Sequence, residues 1–168
     1  MEAVNSTESL TAEIALQGLV QDDLSSLPEI ARRHGVALLV LFGSTARGLH
    51  RTGSDLDLGV LFTSAQSDDE WHAVEQALHF ALEDALEPAC ELQLVTLNRA
   101  DEALCKEVAD HGLVLYADDS DRWVLFRIQA YRAYELAARF RHRSWNSILR
   151  KYGLQPDERS ATSETNAA

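Results

Sequence analysis

Basic residues are in short supply: 15 Lys and Arg stand against 27 Asp and Glu, for a net charge of −12. Phosphate-backbone binding needs a basic surface, so this balance argues against a general nucleic-acid binder, DNA included. Cysteine is nearly absent. Cys90 and Cys105 are the two in the chain and neither belongs to a C-x-x-C pair. That excludes a disulfide framework and a thiolate metal site, and both read as reduced, buried thiols without a catalytic role. No apolar run approaches membrane-spanning length, and the start, MEAVNSTESLTAE, has no basic region leading into an apolar one. The expectation is a cytoplasmic protein with no membrane association. Repeats and linkers are also missing, so 168 residues predict one domain over 11–152, with disordered ends at 1–10 and 153–168.

The acidic balance hides an asymmetry. Between Arg122 and Lys151, eight Lys or Arg face one acid, Glu135, giving +7; the remainder holds 7 against 26, giving −19. Each part can meet a partner of opposite sign.

Hydrophobic periodicity alternates helices and strands. Ala12 to Val20 and Leu24 to His34 read as helices, the second stopped by Gly35, and Val36 to Gly43 as a strand. A short helix follows over Thr45 to Leu49, then a loop over His50 to Ser54 and a second strand over Asp55 to Phe62. Trp71, Val74, Leu78, Leu82 and Leu86 share one face of a helix capped by Ser67 or Asp68 and ended by Pro88. On it His72 and His79, with no third ligand nearby, read as solvated or core-edge residues. Cys90 to Leu97 is a third strand, Asn98 to His111 a helix ended by Gly112, and Leu113 to Tyr116 a fourth strand. Trp123, Phe126, Ala130, Tyr134 and Ala137 mark the apolar face of a long last helix, whose arginines form a largely solvated face.

One stretch breaks the ordinary rules. Aspartate is disfavoured in strands, yet DLDLGVLF begins with two, Asp55 and Asp57. Alternation puts Asp55, Asp57, Gly59 and Leu61 on one side and Leu56, Leu58, Val60 and Phe62 on the other, so the apolar side faces the core. Two carboxylates one strand repeat apart, about 6.6 Å, repel by roughly 2 to 3 kcal/mol at an effective dielectric of 20. A hard divalent ion relieves that repulsion, and magnesium takes carboxylates together with substrate phosphates. Solvated carboxylates, or ion pairs with Arg47 or Arg51, are the plain alternative. Gly43-Ser44, at the end of the first strand, adds a turn where backbone can approach a ligand closely, free helix-start N–H groups, and a hydroxyl donor.

Gly43-Ser44, ten further residues, and then Asp55-Leu56-Asp57 resemble the signature of the DNA polymerase β-like nucleotidyltransferases. The wider wording GSTARGLHRTGSDLDLGVLF, followed by LVTLNRADEALCKEVADHGLVLYADD, is similar to their smallest branch, the minimal nucleotidyltransferases or MntA-like antitoxins. The likeness spans about Glu29 to Phe140. It implies an α/β fold with a small mixed four-stranded sheet, helices on one face, and a long C-terminal helix. It implies an enzyme that uses Mg2+ and ATP, with Gly43, Ser44 and Arg47 on the nucleotide and Asp55 and Asp57 on the metal. Such antitoxins pair with HEPN RNase toxins and transfer AMP to a toxin tyrosine, which makes a HEPN toxin the expected partner and a hetero-oligomer the expected assembly. No Arg here is followed by His at the R-x4–6-H spacing of the toxin itself.

The third strand departs from the family. Aligning L-N-R-A with Leu97-Asn98-Arg99-Ala100 puts the family's third aspartate at Gln93. An amide can offer an oxygen to a metal but cannot accept a proton at neutral pH. Glu91, one strand repeat away on the same face, is the candidate substitute base, or else an exposed edge residue. Three functions follow: an AMP-transferring antitoxin, an impaired antitoxin acting by binding alone, and a small-molecule nucleotidyltransferase of the aminoglycoside type, for which the chain is short.

Overall fold

The structure, a computed structural model, describes residues 24–49, 55–63, 68–86 and 90–152. The helix expected at Ala12 to Val20, the loop His50 to Ser54, Ser67, Pro88 and both tails lie outside the described residues. The described residues fall into two compact units that divide between Tyr131 and Arg132.

In the first unit a single 3-10 turn, Leu24–Ser26, leads into α1, Leu27–Arg33. Strand β1 is Val36–Leu41, α2 is Gly43–Ala46, and β2 is Leu56–Phe62. Helix α3, Asp68–Leu86, precedes β3, Leu92–Thr96. Helix α4, Glu102–His111, precedes β4, Leu113–Ala117, and α5, Arg122–Lys151, follows. The four strands form one mixed sheet in the order β3-β2-β1-β4. β1 runs antiparallel to both β2 and β4, whereas β2 and β3 are parallel.

The alternation read from β2 holds. Leu56, Leu58, Val60 and Phe62 are buried in one cluster with Leu27 and Ala31 of α1 and Trp71, Leu78, Leu82 and Leu86 of α3. The expectation of helices on one face needs correction, because a second cluster covers the opposite face. It joins Leu38, Val40 and Phe42 to Val108 and Ala109 of α4 and Phe126 and Ala130 of α5. The reason lies in β1, whose six residues VALLVL are all buried. A strand with no polar side needs cover on both.

Two boundaries moved for tertiary reasons. Helix α4 begins at Glu102 rather than Asn98, because Asp101 caps it by accepting from the Leu104 amide at 2.8 Å. Asn98 is used elsewhere: its Oδ1 accepts from Phe62 N at 2.8 Å and its Nδ2 donates to Phe62 O at 3.2 Å, pinning the end of β2. Helix α2 is a single turn that starts at Gly43, two residues before the expected start. His79 lies at the core edge, its Nε2 3.0 Å from Leu92 O, and His72 is solvated, its Nδ1 3.9 Å from Glu75 Oε2.

Taken by itself, the helical stretch of the second unit exposes Leu136, Phe140, Trp145 and Ile148. None of the described helices is long and apolar enough to cross a membrane.

Gly112 ends α4 without a left-handed conformation, at φ −68° and ψ 143°. Its requirement is room: a Cβ there would lie 2.5 Å from Val108 O and 2.5 Å from Val40 Cγ1. Gly112→Ala should therefore lose about 1–3 kcal/mol through overcrowding, read as a lower urea midpoint with unchanged slope.

Candidate active site

The site grows from the pairing of β1 with β2. Leu41 stands opposite Leu58, and just past that pair the Phe42 amide donates to Asp57 O at 3.0 Å. The next residue, Gly43, has φ +71°, and a Cβ built on it would fall 2.1 Å from Oδ2 of Asp57. Only glycine gives the carboxylate that space. Ser44 follows, half-buried, in a turn closed by hydrogen bonds from Gly48 N to Thr45 O at 3.0 Å and Leu49 N to Ser44 O at 2.9 Å. The Thr45 side chain is buried beneath it.

Asp55 sits immediately before β2 and Asp57 within it, both half-buried. Burial, and after it the charge of Asp55, hold the Asp57 carboxyl above its ordinary value of 3.8. β3 brings the third element. Asp57 and Gln93 are direct neighbours across the parallel pair, and the Gln93 amide Nε2 donates to Asp55 Oδ2 at 2.7 Å.

Glu91 and Arg47 are placed differently. Glu91 is exposed, and its backbone oxygen accepts from Leu56 N at 2.8 Å. Among the described residues no three His, Cys, Asp or Glu side chains are positioned to hold one metal ion, so Glu91 is not drawn into a ligand set with the two aspartates. Arg47 lies with α4, its Nη1 3.0 Å from Glu107 Oε1 in an exposed ion pair. Sequence reasoning did not place Cys90 near the acidic pair. Burial first, then the charges of Asp55 and Asp57, push its thiol upward, so it stands near the acidic pair as a neutral group. Its closeness to Gln93 in sequence was the available signal.

The donor set fits a hard divalent cation. Two carboxylates stand together at the start of β2, both oxygen donors of the kind such an ion takes.

A family model for the polymerase beta nucleotidyltransferases matches residues 26–121. The chain belongs to that family. Its four-stranded mixed sheet is the family's nucleotidyltransferase fold. Among solved structures it is similar to a toxin–antitoxin crystallised with AMP-PNP, at 23% identity and TM-score 0.56, covering 76% of this chain and 98% of that one. It is also similar to a toxin–antitoxin MntA–HepT chain, at 22% identity and TM-score 0.51, covering 75% and 96%. A third likeness is to a tri-AMPylated Shewanella oneidensis HEPN toxin in complex with MNT antitoxin, at 22% identity and TM-score 0.51, covering 75% and 95%. By sequence alone, no curated protein matches the chain.

Two predictions follow from the geometry. A carboxyl raised on folding adds stability that is complete below the ordinary value of 3.8 and is lost as pH rises through the raised one. Metal-free Asp57→Asn should therefore melt higher than the native chain at pH 7, and the gain should shrink towards pH 4. Gly43→Ala should lose at least about 1–2 kcal/mol from its left-handed backbone alone. Adding Asp57→Ala should recover part of the further loss, measured as a positive coupling in a double-mutant cycle.

Proposed function

We propose that this nucleotidyltransferase is a Mg2+-dependent antitoxin that transfers AMP from ATP to a tyrosine of a HEPN RNase toxin. The observation that carries the reading is the carboxylate pair of Asp55 and Asp57 packed against the Gly43 turn, in a chain of this family. The AMPylated toxin bound to an MNT antitoxin among the similar structures supports the acceptor. Charge supports the partner: the −19 outside Arg122–Lys151 suits a basic RNA-binding cleft.

In this reading the triphosphate lies along Gly43 and Ser44, where backbone N–H groups and the serine hydroxyl meet its oxygens. Asp55 and Asp57 would hold the magnesium, which supplies charge neutralisation at the phosphates. Arg47 exchanges Glu107 for a phosphate, a small loss because an exposed ion pair contributes little. The tyrosine oxygen bonds to the α-phosphorus in line with the departing bridging oxygen, and pyrophosphate leaves. Glu91, two residues before Gln93 and just ahead of β3, is assigned to take the phenolic proton.

One observation favours a second reading, in which the chain neutralises the toxin by binding alone. The residue opposite Asp57 is an amide, Gln93, and provides no base.

The deciding experiment incubates the purified chain with ATP labelled at the α-phosphate, MgCl2, and the product of the neighbouring gene as the candidate HEPN toxin. Label on a toxin tyrosine, dependent on Mg2+, is expected. Asp55→Asn and Asp57→Asn should each lose at least about a hundredfold in rate, taking roughly 3 kcal/mol for charge stabilisation through the ion. Tight binding with RNase inhibition and no label would establish the second reading instead.

A further inference from the structure

We propose that Gln93 makes this a one-ion site, acting as a positioning residue that braces Asp55 where a second divalent cation would need a third anionic ligand. The inference rests on the nucleotide-transfer reading given above and concerns how that site is charged. Three side chains meet at this end of the sheet: Asp55, Asp57 and Gln93. The 2.7 Å contact joins the Gln93 amide nitrogen to Asp55 Oδ2. That orientation is fixed by chemistry, since an ionised carboxylate only accepts and the amide oxygen cannot donate to it.

The bond has two consequences. A donor to an ionised acceptor makes one of the stronger hydrogen bonds, so Asp55 is held in place before any ion arrives. It also occupies one carboxylate oxygen on the side facing β3. Two-ion phosphoryl-transfer sites place their cations about 3.5–4 Å apart and clamp both attacking and leaving oxygens. Four positive charges at that spacing need several anionic ligands. Among the described residues the site supplies two carboxylates, and no third His, Cys, Asp or Glu joins them. The neutral oxygen of Gln93 adds a dipole but no charge. The protein's two negative charges balance one divalent ion, and the triphosphate completes that ion's shell.

The test counts ions directly. The full chain is titrated with MnCl2 in the presence of AMP-PNP, with free Mn2+ followed by electron paramagnetic resonance and bound Mn2+ by equilibrium dialysis. The expected result is one Mn2+ per chain with the spectrum of an isolated ion. Gln93→Asp should bind two, with the altered spectrum of a spin-coupled pair; Gln93→Glu serves if the aspartate variant does not fold. Gln93→Leu, close in size but without the amide, should keep the count at one while weakening Mn2+ binding by about ten- to a hundredfold, the usual effect of losing a partner that orients a ligand. Two coupled ions in the native chain would overturn the one-ion assignment and leave nucleotide transfer standing. A count of one in both the aspartate and glutamate variants would overturn it as well. No binding of Mn2+ with AMP-PNP to the native chain would remove the nucleotide-transfer reading and this assignment with it.

Discussion

The hydrogen bond from the Phe42 amide to the Asp57 carbonyl, 3.0 Å long, joins the ends of β1 and β2 where the chain turns towards its chemistry. It fixes the register that sets Gly43 against the Asp57 side chain. Strand register has a period of two, so a slip of one residue would carry Asp55 and Asp57 into the cluster now filled by Leu56 and Leu58. The apolar residues on the two faces of β1 and β2 prevent that slip. Core packing and site geometry are therefore set by the same pairing.

The site is a local electrostatic liability on that frame. Two carboxylates stand half-buried within one strand repeat, and Asp57 is harder to ionise than an ordinary aspartate, through burial and its neighbour's charge. Arg47, close in sequence to the turn, is taken by Glu107 of α4. The relief built into the fold is the Gln93 amide. One amide donor answers one carboxylate oxygen and adds no charge, so the two negative charges stay uncompensated by it.

Much of this was legible in the strand patterns. Asp55 and Asp57 stood out because aspartate in an otherwise leucine-rich strand opposes local propensity, and their shared face followed from alternation alone. The polar side of β3 could be matched to them once the two strands were taken as neighbours. The second helical layer was readable in VALLVL, which lacks a polar side, but period-two reasoning applied to β2 alone hid it. Other features were out of reach of local rules. Asn98 reads as the start of a helix by periodicity, yet its amide bonds the backbone of Phe62, 36 residues earlier. Gly112 looked like a left-handed stop and is instead a place where Val40 leaves no room for a methyl group. The partner of Arg47 and the nearness of Cys90 to the acids depend on packing between elements distant in the chain.

Residue 93 sits where the fold leaves charge free to vary. β3 is an edge strand, and Gln93 is solvent-exposed on it, while its neighbours Leu92 and Leu94 carry the packing. An exchange between a carboxylate and an amide at such a place changes no buried volume. It leaves the ladder hydrogen bonds, which belong to the backbone, as they were. The fold therefore exerts little selection on residue 93, and the charge of the site can change while the sheet, its register and the glycine turn stay fixed. A fold of this kind constrains where a nucleotide can be held far more tightly than it constrains how many ions accompany it.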